Sequence, residues 1–182
     1  KPEEKAPLSQ YLLYLGCTVP VRALQYEISA RKVAERLGIQ FIDIPEFSCC
    51  GYPIKSVNHY AYLLMAARNL ALAEKRGLPV CTLCSSCGGS LAEAAHEIEE
   101  DEALRKRINA DLSAGLGMQY EGKVPVLHFT RVLQQAAGCK RIAEQVKVDL
   151  SSFRFAPHYG CHYTKPSALF DRADDPENPR SL

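Results

Sequence analysis

The amino-acid sequence predicts an α/β protein: a parallel β-sheet flanked by helices, with its cysteines clustered at the carboxyl edge of the strands. Three observations carry this. Short apolar runs alternate with longer stretches of helical periodicity, the pattern of strand, helix and strand units. Each of the first three runs ends at, or leads directly toward, cysteine. The chain has 182 residues, 47% of them apolar and 24% charged, enough to bury one proper core.

Residues 11–17, YLLYLGC, are an apolar run stopped by Gly16 and read as a buried first strand ending at Cys17. Residues 20–37 place Val21, Leu24, Ile28, Val33, Ala34 and Leu37 at helical spacing, with Pro20 suited to a first turn and Gly38 to the stop. IQFIDI at 39–44 is a second strand, followed by the turn PEFSCCGYP with Cys49 and Cys50, then a helix from about Val57 to Arg76 ended by Gly77. LPVCTL at 78–83 is a third strand running into CSSCGG, which carries Cys84 and Cys87. A long charged helix is expected from about Ser90 to Leu112, a fourth strand at 123–129, a short helix from Arg131 to Ala137, and a fifth strand within 146–161. Residues 1–10 read as a flexible leader and 166–182 as a tail whose polar, proline-bearing end is unstructured.

In parallel sheets, ligands gather outside the carboxyl ends of the strands. Three segments far apart in sequence therefore deliver five thiols, Cys17, Cys49, Cys50, Cys84 and Cys87, to one edge. Composition narrows what they can do. The 22 basic and 21 acidic residues nearly cancel, and no basic stripe interleaved with aromatics offers a footprint for nucleic acid. No apolar run approaches the ~20 residues needed to span a bilayer, and the polar opening KPEEKAPLSQ lacks the order of a secretory signal. The chain reads as soluble and cytoplasmic, where eight cysteines favour metal ligation over a disulfide framework.

Thiolates are soft ligands for zinc, copper(I) or iron–sulfur clusters. A structural zinc site takes four ligands, often from two separate CxxC knuckles, whereas this chain has one knuckle, a vicinal pair and a lone cysteine. Successive side chains diverge in extended backbone, so Cys49 and Cys50 suit two metal atoms of a larger cluster better than one ion. Gly51 and Pro53, and Gly88 and Gly89, would hold the backbone close, and N–H groups opening the next helix would stabilise a negative cluster.

The order Cys17, 31 residues, Cys49-Cys50, 33 residues beginning with Gly51, and Cys84-x-x-Cys87 resembles the cysteine-rich CCG domain found in the B subunit of heterodisulfide reductase. That resemblance implies a noncubane 4Fe-4S cluster bound through these five cysteines. It also implies one-electron reduction of a small disulfide, of the CoM-S-S-CoB type or another thiol couple, and partner subunits that include a ferredoxin-like iron–sulfur protein. Relatives serving glycolate, lactate or glycerol-3-phosphate oxidation share CCGxP but usually have a single cysteine at Cys84-Ser-Ser-Cys87, which favours the heterodisulfide reductase side. Family members carry two such domains, and HYGCH at 158–162 resembles the opening of the second, with Cys161 as its first ligand; 21 residues follow it. The expected organisation is a leader (1–10), a first CCG domain (11–145), the start of a truncated second one (146–165) and a tail (166–182), the N-terminal portion of a longer protein. Such a fragment is expected to be inactive alone and to pair as a homodimer through exposed apolar surface, with an absent cluster or zinc in its place as the alternative to the bound 4Fe-4S group.

Other residues have plainer readings. Cys81 is a weaker candidate ligand that alternation along the strand and the family spacing assign to the core. Cys139 reads as a packing or surface cysteine. His162 is a surface histidine or a group that tunes or protonates the second site, His128 is a core residue, and His59 and His96 lie in helical patterns without an evident partner. Cys49-Cys50 as a redox dithiol, or Cys84-Ser-Ser-Cys87 as a thioredoxin-type motif, also fits thiol exchange, a reading set below metal binding because it leaves Cys17 and the vicinal pair unexplained. EIEEDEALRKR, residues 97–107, reads as a solvated helix face. The competing function is a structural zinc or scaffold domain for subunit contact, without redox chemistry.

Overall fold

Four short strands are laid side by side in the order β2-β1-β3-β4 in the computed structural model, which describes residues 9–158, 160–170, 175, 177 and 178. They are β1 (Ser9–Tyr14), β2 (Ile39–Asp43), β3 (Val80–Thr82) and β4 (Val126–His128). Every pairing is parallel, with Leu12 of β1 opposite Ile42 of β2 and Val80 of β3, and Val80 opposite Val126 of β4. Most of the expected leader and tail lies outside the described residues; Ser9 and Gln10, assigned to the leader, open β1.

Side chains alternate across a strand, and here this alternation builds two cores. Leu12, Tyr14 and Val80 face helices α3 (His59–Arg76), α4 (Ser85–Glu100) and α5 (Glu102–Leu116), packing with Leu63, Leu70, Leu91 and Ile108. Leu13, Ile39 and Cys81 face the other way, against Ala30 and Ala34 of α2 (Leu24–Arg36) and Phe129 and Val132 of α6 (Phe129–Ala136). Leu70 is fully buried, so truncation to alanine there would cost about 2–5 kcal/mol. Asn58 caps α3 by accepting the Ala61 N–H at 3.0 Å, and Gly77 ends it with φ +66°.

Several boundaries differ from the sequence expectation. The helix expected over 20–37 is a single turn, α1 (Val19–Arg22), followed by α2, with Ala23 between them at φ −138°. The helix expected from Ser90 starts five residues earlier, at Ser85, and breaks at Asp101, which caps α5 by accepting the Leu104 N–H at 2.9 Å. An additional helix, α7 (Gly138–Gln145), follows α6. No fifth strand forms among the described residues of 146–161: Val146, Val148, Leu150, Phe153 and Phe155 alternate as a strand would but lie exposed beside no neighbouring strand, and that stretch ends in the one-turn helix α8 (Cys161–Thr164). Alternation without a neighbour leaves the backbone hydrogen bonds of a strand unmade.

Candidate thiol site at the carboxyl edge of the sheet

The chain leaves β1 through Leu15 and Gly16, whose φ of +67° turns it toward Cys17. Glycine is required there on two counts. Side-chain-bearing residues are strained at that φ, and a Cβ would stand 2.7 Å from Cys87 Sγ. After β2 the loop delivers Cys49, half-buried, and Cys50, 3% exposed, before Gly51 reverses direction at φ +85° and Tyr52–Ile54 form a 3-10 turn. After β3, Cys84 is the extended N-cap of α4 and Cys87 lies in its first turn, 6% exposed. Gly88 lets that turn approach β3: a Cβ on it would come 2.8 Å from Thr82 Oγ1.

The five sulfurs are neighbours that act on one another's protons, Cys17 on Cys49, Cys49 on Cys50, Cys50 on Cys87 and Cys87 on Cys84. Protons are unevenly held along it. The thiol of Cys87 hydrogen-bonds Cys84, and the backbone N–H groups of Cys87 and Ser86 and the Ser86 hydroxyl add to it; against the opposing effect of burial they draw the Cys84 pKa down to about 5. The same Cys87 thiol, with the Tyr52 N–H, lowers Cys50 to about 7. Cys87, bonded to both sulfurs, holds its proton far above the ordinary thiol range. Cys49 is raised, chiefly by burial, although the Gly51 N–H opposes this. At neutral pH the metal-free edge is thus a partly deprotonated thiol array.

Beneath it lies polar structure that sequence reasoning missed. Tyr14, fully buried, donates its hydroxyl to the Ser48 carbonyl, and its own ionisation is pushed far up by burial and then by the neighbouring thiols. Asn69 of α3, 1% exposed, accepts the Ser48 N–H at 2.9 Å and donates to the Cys49 carbonyl at 3.1 Å. A signal for Asn69 did exist: a lone amide on the apolar face of LLMAARNLALA must have partners if buried.

The other singled-out residues stand apart from the array. Cys81, fully buried, sits in the opposite core, where burial pushes its thiol up. Cys139 is exposed on α7, and Cys161 is exposed on α8. His162 packs edge-on to Tyr52 with ring centroids 5.0 Å apart and Nε2 3.1 Å from its hydroxyl. Its backbone lies so close to α4 that a Cβ on Gly89 would be 3.0 Å from it. His128 caps α6 through Thr130, and burial lowers its pKa to about 4. His59, for which the sequence offered no partner, pairs with Glu97 at 2.8 Å. A cavity of 560 Å³ lies away from the thiols, beside Gly77 and Pro125 at the amino ends of β3 and β4. Among the described residues no three His, Cys, Asp or Glu side chains are set around the position of a single metal ion.

Three loops that bring five neighbouring thiols to the carboxyl edge of a parallel sheet define a cysteine-rich α/β module. Residues 11–92 match the cysteine-rich domain family named CCG. The chain is 35% identical over 176 residues to a protein of Archaeoglobus profundus that is like the B subunit of heterodisulfide reductase, covering 95% of this chain and 58% of that one. It is 33% identical to the B subunit of the ferredoxin/F420H2-dependent CoB-CoM heterodisulfide reductase of Methanosarcina acetivorans, covering 88% and 53%. It is also 35% identical to the 8-methylmenaquinol:fumarate reductase membrane anchor subunit of Wolinella succinogenes, covering 86% and 54%. The chain is therefore similar to heterodisulfide reductase B subunits over most of its own length, with the match to the cysteine-rich CCG domain family confined to residues 11–92. It spans somewhat more than half the length of these relatives. Among the described residues, no helix is long and apolar enough to cross a membrane.

Proposed function

We propose that this chain is an iron–sulfur electron-transfer module of a heterodisulfide reductase-like oxidoreductase, acting in the cytoplasm on a small disulfide of the CoM-S-S-CoB type or another thiol couple. Cys17, Cys49, Cys50, Cys84 and Cys87 would hold a noncubane 4Fe-4S cluster. The observation that carries this reading is the gathering of these five thiols, brought from three separate loops, at one edge of the sheet. The donor set fits: it is all sulfur, and it exceeds the four ligands of a structural zinc site. Gly16 fits as well, because its missing Cβ leaves the space beside Cys87 open. Such a cluster, when bound, supplies electrons one at a time to the sulfur–sulfur bond of a substrate.

The chain's own residues prepare the site. Cys84 and Cys50, with lowered pKa values, offer thiolates near neutral pH. Burial of Cys50 and Cys87 keeps water from one side, while exposed Cys17 leaves the other side open to substrate or to a ferredoxin-like partner protein. The Wolinella relative favours a second reading, an electron relay whose final acceptor is not a disulfide.

The test is iron, zinc and acid-labile sulfide per chain, with an electron paramagnetic resonance spectrum, on protein purified without oxygen. About four irons and four sulfides support the proposal. One zinc without sulfide replaces it with the structural reading. If the loaded protein accepts electrons but the full-length enzyme cleaves no disulfide, the relay reading stands instead.

A further inference from the structure

The loop carrying Cys49 and Cys50 is polarised. Its carbonyls point inward: that of Ser48 accepts the Tyr14 hydroxyl and that of Cys49 accepts Asn69 Nδ2 at 3.1 Å. Its next N–H groups point to sulfur, from Gly51 to Cys49 and from Tyr52 to Cys50. Asn69 is central to this arrangement. Its amide also donates to the Met65 carbonyl at 3.0 Å, while Oδ1 accepts the Ser48 N–H at 2.9 Å. Helix stability does not call for an amide here, since α3 buries Leu63, Ala66, Leu70 and Ala73 as apolar neighbours. A buried amide is tolerated only when its bonds are made, and outside its own helix Asn69 makes them to the cysteine loop and to Tyr14.

We propose that Asn69, supported by Tyr14, is a positioning residue that holds the loop's carbonyl dipoles away from the sulfurs and its N–H dipoles toward them, and so raises the reduction potential of the group the five cysteines hold. The proposal rests on the cluster reading above. Hydrogen bonds donated to cluster sulfur stabilise the more negative, reduced state, and carbonyl oxygens turned toward sulfur do the reverse. Freeing the loop therefore moves the potential down.

The experiment compares the chain with Asn69→Leu and Tyr14→Phe, the latter keeping ring volume and the packing against Phe47 if the former fails to fold. Asp101→Ala serves as a destabilised control remote from the loop. Reduced fraction is read by paramagnetic resonance at a series of fixed potentials, and alkylation of Cys49 and Cys50 is followed by mass spectrometry in metal-free protein. Asn69→Leu is expected to lower the reduced-to-oxidised ratio about tenfold at a given potential, about 59 mV for a one-electron couple. Tyr14→Phe should move it in the same direction by a smaller factor, Asp101→Ala should not move it, and Cys49 and Cys50 should alkylate several-fold faster in Asn69→Leu. If both variants reduce along the wild-type curve, or the alkylation rates do not change, Asn69 only supports the fold and the proposal is overturned. Wild-type chain without iron or sulfide overturns the cluster reading and this proposal together; a loaded wild type with unshifted variants overturns this one alone.

Discussion

Gly16→Ala tests the site through one methyl group. Two costs arise, and the structure separates them. The first is backbone strain: a Cβ-bearing residue at φ +67° costs about 1–2 kcal/mol. Gly77→Ala incurs the same strain at φ +66°, but its Cβ would meet nothing within 4 Å. The second cost belongs to Gly16 alone. Its Cβ would stand 2.7 Å from Cys87 Sγ, and Cys87 is 6% exposed with its backbone in the first turn of α4, so the sulfur cannot simply swing into solvent. Overpacking of that kind adds about 1–3 kcal/mol. At about 2–4 °C per kcal/mol for a chain of this size, Gly16→Ala should melt about 2–12 °C below Gly77→Ala. The sharper readout is ligation: after anaerobic reconstitution, Gly77→Ala should carry wild-type iron and sulfide per chain, and Gly16→Ala less than half of it. Equal loading of the two variants would refute the argument that the space beside Cys87 must stay open.

Further expectations follow from the pKa shifts and caps. His128 has a folded pKa of about 4 against 6.5 unfolded, so the unfolded chain takes up its proton first as pH falls. Stability from this group is full above pH 6.5 and is lost between pH 6.5 and 4, by about 3 kcal/mol in all. Urea unfolding of His128→Asn should lack that loss relative to wild type; equal losses in both would count against it. In metal-free protein, iodoacetamide modification of Cys84 should reach half its plateau rate near pH 5, and a rate still climbing between pH 7 and 9 would contradict the hydrogen bonds assigned to that sulfur. Asp101→Ala should cost about 1 kcal/mol through loss of the α5 cap, measured by denaturation, with iron and sulfide content unchanged.

The convergence of the five thiols was legible because it depends on topology alone. Apolar runs, glycine stops and cysteines past the strand ends place the cysteine loops at one sheet edge whichever order the strands take. The order itself, with β1 inside, leaves no mark in a short parallel strand. Helix breaks were half-legible: Asp101 followed by Leu104 is a capping signal inside a charged run, overlooked because the periodicity of EIEEDEALRKR continues across it. Ala23 gives no such signal. The fifth strand failed for the opposite reason: the alternation of Val146, Val148 and Leu150 is real, but a strand exists only beside a neighbour, and no neighbour is encoded locally. The early start of α4 at Ser85 was hidden by Gly88 and Gly89, which blur the helical pattern and are the residues that let the helix pack against Thr82 and His162.

The interior position of β1 sets a schedule for the nascent chain. Cys17 is made about 70 residues before Cys87, and at about 5–20 residues per second that interval is roughly 4–14 s. Ser9 to Leu13 can pair with Ile39 to Asp43 as soon as β2 emerges, bringing Cys17, Cys49 and Cys50 together while Cys84 and Cys87 are still unmade. Three thiols then stand together without the other two, a grouping that a soft metal ion or an oxidant can capture. The five-thiol array closes only when β3 docks along Leu12 to Tyr14, so any group that needs all five sulfurs has to wait for the last of the three loops.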